Sequence, residues 1–135
     1  MPYISKNIRR LVEQRAGNRC EYCRVHAYLV GFGYHIEHII GVQHGGNNNI
    51  LNLAYACSFC NWKKGPNIST VLKLGGELIP LFNPRTQNWF EHFEVKQGKI
   101  LPLTTIGEAT IKLLDLNQSS RIDARFEMML AGFYP

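Results

Sequence analysis

Hydrophobic and polar positions follow one rhythm in the first half of the chain and another in the second. Ile8, Leu11 and Val12 recur at helical spacing between Ser5, a candidate cap, and Gly17, a candidate stop. That spacing predicts a first helix with Arg9, Arg10 and Glu13 outward. Tyr28 to Ile40 is rich in aromatic and β-branched residues, broken by Gly31 and Gly33, and reads as strand. Gly41 to Asn49 (GVQHGGNNN) reads as a loop by composition. Ile50 to Ala56 reads as a short strand, and Cys57 to Lys64 as the first turns of a helix stopped by Gly65-Pro66.

Beyond Pro66 the punctuation changes. Asn83-Pro84-Arg85 marks a turn, and Trp89 to Val95 with Ile100 to Leu103 predicts a hairpin across Gln97-Gly98. Thr105-Ile106-Gly107-Glu108 fits a capping box opening a helix with Ile106, Ala109, Leu113 and Leu114 inward. Ser120-Arg121-Ile122-Asp123 opens another, with Ile122, Phe126, Met129 and Leu130 on its inner face and Gly132 at its end. Trp89, Phe90 and Phe93 are expected to fill a core, the alternative being a platform for DNA shape or a partner protein with Arg85 and His92 at its rim. The pattern is α+β in two parts: residues 1–66, and residues 67–135 as an extension packed on them.

Composition narrows the class. The chain has 135 residues with 45% hydrophobic, enough for a real core. No stretch approaches the roughly 18 uninterrupted apolar residues of a membrane span. Met1 to Lys6 has no apolar run after a basic start, so no secretion signal is read and a cytoplasmic location is expected. Charge is lopsided: residues 1–65 hold eight basic and three acidic residues, so the whole net +5 falls there, while residues 66–135 hold seven of each sign. A polyanion-facing surface on one half would account for that, and so would an ordinary solvated face.

All four cysteines lie in the basic half, as two C-x-x-C pairs, Cys20/Cys23 and Cys57/Cys60, with 33 residues between them. Each pair aims two sulfurs at one point, and two pairs complete a closed tetrahedral zinc site that serves as scaffold. Two disulfides, a redox-active pair and a rubredoxin-like iron site are the alternatives. Between the clips lie Glu37-His38, His44 in the glycine loop and Asn52, with Asn61, Lys63 and Lys64 following the last cysteine. A base, hard donors and positive charge suit metal-assisted attack on a phosphodiester.

The ordered run Arg19-Cys20-Glu21-Tyr22-Cys23, HIEHIIGVQHGG, Asn52-Leu53 and ACSFCNWKKG resembles the His-Asn-His (HNH) endonuclease family, in its variety with a four-cysteine zinc. The likeness covers residues 19–65. Pro80 to Arg85 and Trp89 to Phe93 are similar to an extension found on some small bacterial HNH proteins. The resemblance implies a ββα-metal finger acting on DNA, with His38 as the base that activates water and Asn52 bracing the loop and helping to orient it. Glu37 and Asn61 would hold a catalytic Mg²⁺ or Mn²⁺, and Lys63 and Lys64 would contact backbone phosphates.

Two positions depart from the family pattern: Glu37 stands where Asp is usual, and Gly41 where Pro is common. Strand alternation adds a constraint, because Glu37 and His38 fall on opposite faces while His35 shares a face with Glu37. His35 is therefore a reserve metal ligand. The activity expected is nicking by a monomer, or double-strand cleavage by a homodimer or larger nuclease complex. A zinc-stabilised nucleic-acid-binding module without nuclease activity is the rival reading, and rubredoxin-like electron transfer the third.

Overall fold

The structure, a computed structural model, describes residues 3–31 and 33–135. The chain divides into two compact units, Met1–Asn67 and Ile68–Pro135. Together they make a mixed α+β protein with small antiparallel sheets and a four-cysteine cluster.

The first unit opens with α1 (Lys6–Arg15), capped by Ser5, whose Oγ accepts from the Ile8 amide. Val12 is the fully buried residue of this helix, and Leu11 is half exposed. The extended run expected from Tyr28 to Ile40 is much shorter. His26 caps a single 3₁₀ turn at Ala27–Leu29, and Gly31 takes φ +76°, so the backbone becomes extended only at β1 (His35–His38). Phe32, inside that run, lies outside the described residues.

β1 pairs antiparallel with β2 (Leu53–Ala56), with His35 opposite Ala56 and His38 opposite Leu53. The second strand is also shorter than expected, because Asn49 caps a 3₁₀ turn over Ile50–Asn52. All four β2 residues are buried, so this strand is covered on both faces. Next comes α2 (Ser58–Lys64), with Cys57 as its cap and Gly65 ending it at φ +51°. β1, β2 and α2 pack together as a ββα unit.

The second unit contains a two-residue strand pair, β3 (Ser69–Thr70) with β4 (Ile79–Pro80), which no local sequence pattern announces. The turn at Asn83-Pro84-Arg85 forms, with the Arg85 amide donating to Asn83 Oδ1. Residues Trp89–His92 are a helical turn, α3, capped by Asn88, where strand had been expected. The hairpin is therefore β5 (Phe93–Lys96) with β6 (Lys99–Pro102). Gln97 and Gly98 both have positive φ, the signature of a tight turn matched to strand twist. A Cβ on Gly98 would lie 2.4 Å from the Ile122 carbonyl, so only glycine fits there.

Two amphipathic helices complete the unit, α4 (Thr105–Leu114) and α5 (Ser119–Leu130). The cap of α4 is Thr104, one residue earlier than expected, and its Oγ1 accepts from the Gly107 amide. Trp89 and Phe82 are buried with Phe93, their rings 4.8 and 5.5 Å from that of Phe93, but Phe90 is half exposed.

The inner face of α5 corrects the hydrophobic reading. Leu130 is mostly exposed, and the buried positions are Arg121 and Arg125. Arg125 Nε donates to the Gly98 carbonyl and its Nη2 to the Leu116 carbonyl, both at 2.7 Å, while Arg121 donates to the Leu114 and Asp115 carbonyls. Long aliphatic stems let these guanidiniums reach carbonyls that turns leave unpaired.

Candidate functional site

Local chain geometry assembles the cysteines. Cys20 begins a tight turn in which the Arg24 amide returns to the Cys20 carbonyl at 2.8 Å, with Arg24 in the left-handed region at φ +68°. Cys20 Sγ accepts from the amides of Tyr22 and Cys23, both at 3.4 Å, and Cys57 Sγ accepts from the Cys60 amide at 3.3 Å. Those bonds favour thiolates. The Glu21 amide donates to the Tyr55 carbonyl, and the Tyr55 amide to Glu21 Oε1, which ties the first clip to β2.

The four sulfurs lie within 4.8 Å of one another, with Cys23 and Cys57 Sγ 3.8 Å apart. A tetrahedron with Zn–S bonds of about 2.3 Å has edges of about 3.8 Å, so the group fits a zinc ion and is too open for disulfides. Burial pushes the Cys20 and Cys60 thiols well up from their ordinary range, a cost that a bound dication offsets. Among the described residues this is the one group of three or more Cys, His, Asp or Glu side chains able to hold a metal ion.

His38 closes β1, nearly buried at 8% exposure. Its Nε2 lies 2.7 Å from Asn48 Oδ1, and Asn48 Nδ2 in turn donates to the Tyr3 carbonyl at 3.1 Å. Asn52 ties the loop to the end of β1: the Ile40 amide donates to its Oδ1, and its Nδ2 donates to the carbonyls of Ile40 and Asn47. The side chain that touches the imidazole, however, is Asn48. The GVQHGGNNN composition marked this loop without saying which amide would turn inward. Asn47 and Asn49 each accept a local backbone amide, which leaves Asn48 to reach His38. Loop closure also demands glycine at 46, where a Cβ would sit 1.7 Å from the Ile40 carbonyl oxygen.

One expected role changes and another narrows. Glu37 is 6% exposed, and its Oε1 lies 2.7 Å from Lys64 Nζ, itself buried at 2%. Lys64 Nζ also donates to the Ile39 carbonyl at 3.0 Å. Lys64 therefore points inward, away from any phosphate, because it follows buried Cys60 by one helical turn and shares its face. Burial raises the Glu37 carboxyl, while the neighbouring Lys64 ammonium pulls it down. Glu37 Oε1 faces the ammonium, while Oε2 is buried with no hydrogen-bond partner and is the oxygen left for the ligand role expected of Glu37.

Asn61 is half-buried on α2. Lys63 is exposed on the outer side of the same helix, with Trp62 at 82% exposure and Phe59 at 48%. His35 Nε2 meets Ser58 Oγ at 3.1 Å in an exposed position, and His44 is exposed in the loop. Neither histidine joins His38 in a metal-holding group among the described residues.

Comparison with known proteins agrees with this geometry. Residues 20–67 match the family model for the HNH endonuclease, a segment that contains both cysteine clips, His38, Asn48, Asn52 and α2. No curated protein and no solved structure matches the chain. No described helix is long and apolar enough to cross a membrane.

Proposed function

We propose, from the HNH domain at residues 20–67, that this protein is an endonuclease hydrolysing DNA phosphodiester bonds, with His38 as its general base. The observation that carries the reading is the seating of His38: a nearly buried imidazole at a strand end, one ring nitrogen held by a fixed amide. A base in a defined pose needs little reorganisation when it takes a proton.

In the proposed reaction a water O–H bond breaks, and its proton passes to the imidazole. The oxygen forms a bond to phosphorus in line as the bond from phosphorus to the 3′-oxygen breaks. The departing oxygen takes a proton from solvent, leaving a 5′-phosphate and a 3′-hydroxyl. Lys63 supplies charge for the backbone, and Trp62 an aromatic face for a base. The zinc clips hold the ends of the ββα unit and take no chemical part. A bound Mg²⁺ or Mn²⁺ would be held by Asn61, a neutral oxygen donor, and by Oε2 of Glu37, and would supply charge to stabilise the departing oxygen.

A second reading, a zinc-stabilised module that binds nucleic acid without cutting, is favoured by one observation: Oε1 of Glu37 is committed to Lys64. Nicking of supercoiled plasmid separates the two. The nuclease reading expects wild type to relax the plasmid with Mg²⁺ or Mn²⁺, and His38→Ala to slow cleavage by about 10²–10⁴-fold. Salt-dependent binding without cleavage under any divalent ion, or equal cleavage by His38→Ala, would establish the second reading instead.

A further inference from the structure

We infer that Asn48 sets the tautomer of His38, and that the backbone carbonyl of Tyr3 sets Asn48. The inference rests on the nuclease reading only where it calls His38 a base. Its logic starts from a group with no choice. A carbonyl oxygen accepts and never donates, so the Asn48 branch 3.1 Å from the Tyr3 carbonyl is the amide nitrogen. Turning the amide over would set two acceptors against each other, which removes the usual ambiguity between its oxygen and nitrogen.

With the nitrogen committed to Tyr3, the branch 2.7 Å from His38 Nε2 is the amide oxygen. That atom also only accepts, so Nε2 carries the ring hydrogen. A neutral imidazole has one N–H, which leaves the lone pair on Nδ1. Nδ1 is thus the atom that takes the proton from water. On protonation the Nε2–H···Oδ1 bond becomes charge-assisted and shorter, so Asn48 stabilises the imidazolium as it forms.

The rest of the loop serves this pose. Asn52 Nδ2 holds the Asn47 carbonyl at 2.9 Å, next to Asn48, and its second bond fixes the loop to Ile40 at 3.0 Å. Asn48 is therefore a positioning residue acting through His38. Tyr3 gives the segment before α1 a part in the site, although no motif marks it.

The test uses the full-length, zinc-loaded protein labelled with ¹⁵N. Long-range correlation spectra of the ring nitrogens at about pH 8, where an ordinary imidazole is neutral, distinguish the two tautomers. His38 is assigned by its absence in His38→Ala. Wild type is expected to show the proton on Nε2. Asn48→Asp, which still accepts from Nε2–H but loses the bond to the Tyr3 carbonyl, should keep that tautomer while cleaving more slowly than wild type. Asn48→Ala should show a mixture, with kcat lower by about 10–100-fold at unchanged KM, the scale for losing an orienting partner.

A wild-type proton on Nδ1, an unchanged tautomer in Asn48→Ala, or a mixed tautomer with unchanged kcat would overturn the inference. Should Asn48→Ala fail to fold, the wild-type spectrum and Asn48→Ser decide it in the same way. A wild type that cuts no DNA would remove the nuclease reading, while the ring spectrum still judges the tautomer.

Discussion

In the first unit small, sulfur-bearing and polar side chains, among them Cys20, Cys23, Cys60, Ala54, Ala56, Glu37, His38 and Lys64, share the core with Val12, Tyr22, Tyr34, Ile39, Leu53 and Tyr55. In the second the buried side chains include Phe82, Trp89, Phe93, Ile100, Leu114 and Leu116, with two arginines closed over carbonyls. A unit of this size gains little from burial unless something replaces the missing apolar area. The second unit uses ordinary aromatic packing. The first gives up core volume to polar and sulfur-bearing groups: His38, an internal ion pair and a four-cysteine cluster. Its order is therefore expected to depend on a bound ion in a way that the second unit's does not.

The largest effect that could break this contrast is metal removal. Structural zinc contributes about 10–16 kcal/mol to folding in small metal domains. Chelation, or Cys23→Ser with Cys57→Ser, is expected to abolish the tertiary structure of residues 3–67 while residues 68–135 keep theirs. Amide hydrogen exchange read residue by residue checks it. Equal loss of protection in both units would end the distinction drawn above.

Next in size is the Glu37–Lys64 pair. Removing one partner of a buried pair costs about 3–5 kcal/mol, because the other charge is left alone in a dry place. Glu37→Gln and Lys64→Met should each lower stability by that amount, and the double variant should recover most of it. The same double variant sharpens the functional question. A pair that is internal and nothing more would leave cleavage within about tenfold of wild type once the fold is restored. The metal-ligand role of Oε2 leaves the double variant stable and inactive.

These two side chains also mark how far the sequence could be read. The clips, the Ser5 cap, α2 and the Gln97-Gly98 turn were legible because each depends on a few adjacent residues whose chemistry has one use. Lys63 and Lys64 look alike in a charge count, yet helical periodicity groups Lys64 with buried Cys60, a signal that the basic-patch reading passed over. Arg121 and Arg125 were hidden for a different reason. Their burial is decided by carbonyls of residues 98 and 114–116, which no local pattern announces. Asn48 sat in a run of three asparagines whose separate roles depend on loop closure over Gly46.

A smaller effect tests the second unit alone. Arg125→Met keeps the apolar stem but leaves the Gly98 and Leu116 carbonyls without their donor, and the Asn117 side chain without its third contact. Hydrogen bonds to charged groups are worth about 1.5–3 kcal/mol, so a loss of about 3 kcal/mol is expected, confined to residues 68–135. Zinc content, measured by release to a chromophoric chelator, should stay at one ion per chain.

The smallest effect concerns the two tryptophans, one in each unit. Trp62 is 82% exposed beside Lys63, and Trp89 is 5% exposed against Phe90 and Phe93. If the outer face of α2 meets DNA, added DNA should quench Trp62 and leave Trp89 unchanged. Trp62→Phe should then abolish the response, and Trp89→Phe should keep it. Stacking on one base is worth about 1–3 kcal/mol, so Trp62→Ala should weaken binding by about 5–150-fold at fixed salt. Lys63→Ala should lower affinity only a few-fold and reduce the salt slope by about one, as expected for one lost phosphate contact. Quenching that survives Trp62→Phe would move the nucleic-acid surface off α2, and with it the division between a basic, DNA-facing unit and a neutral one.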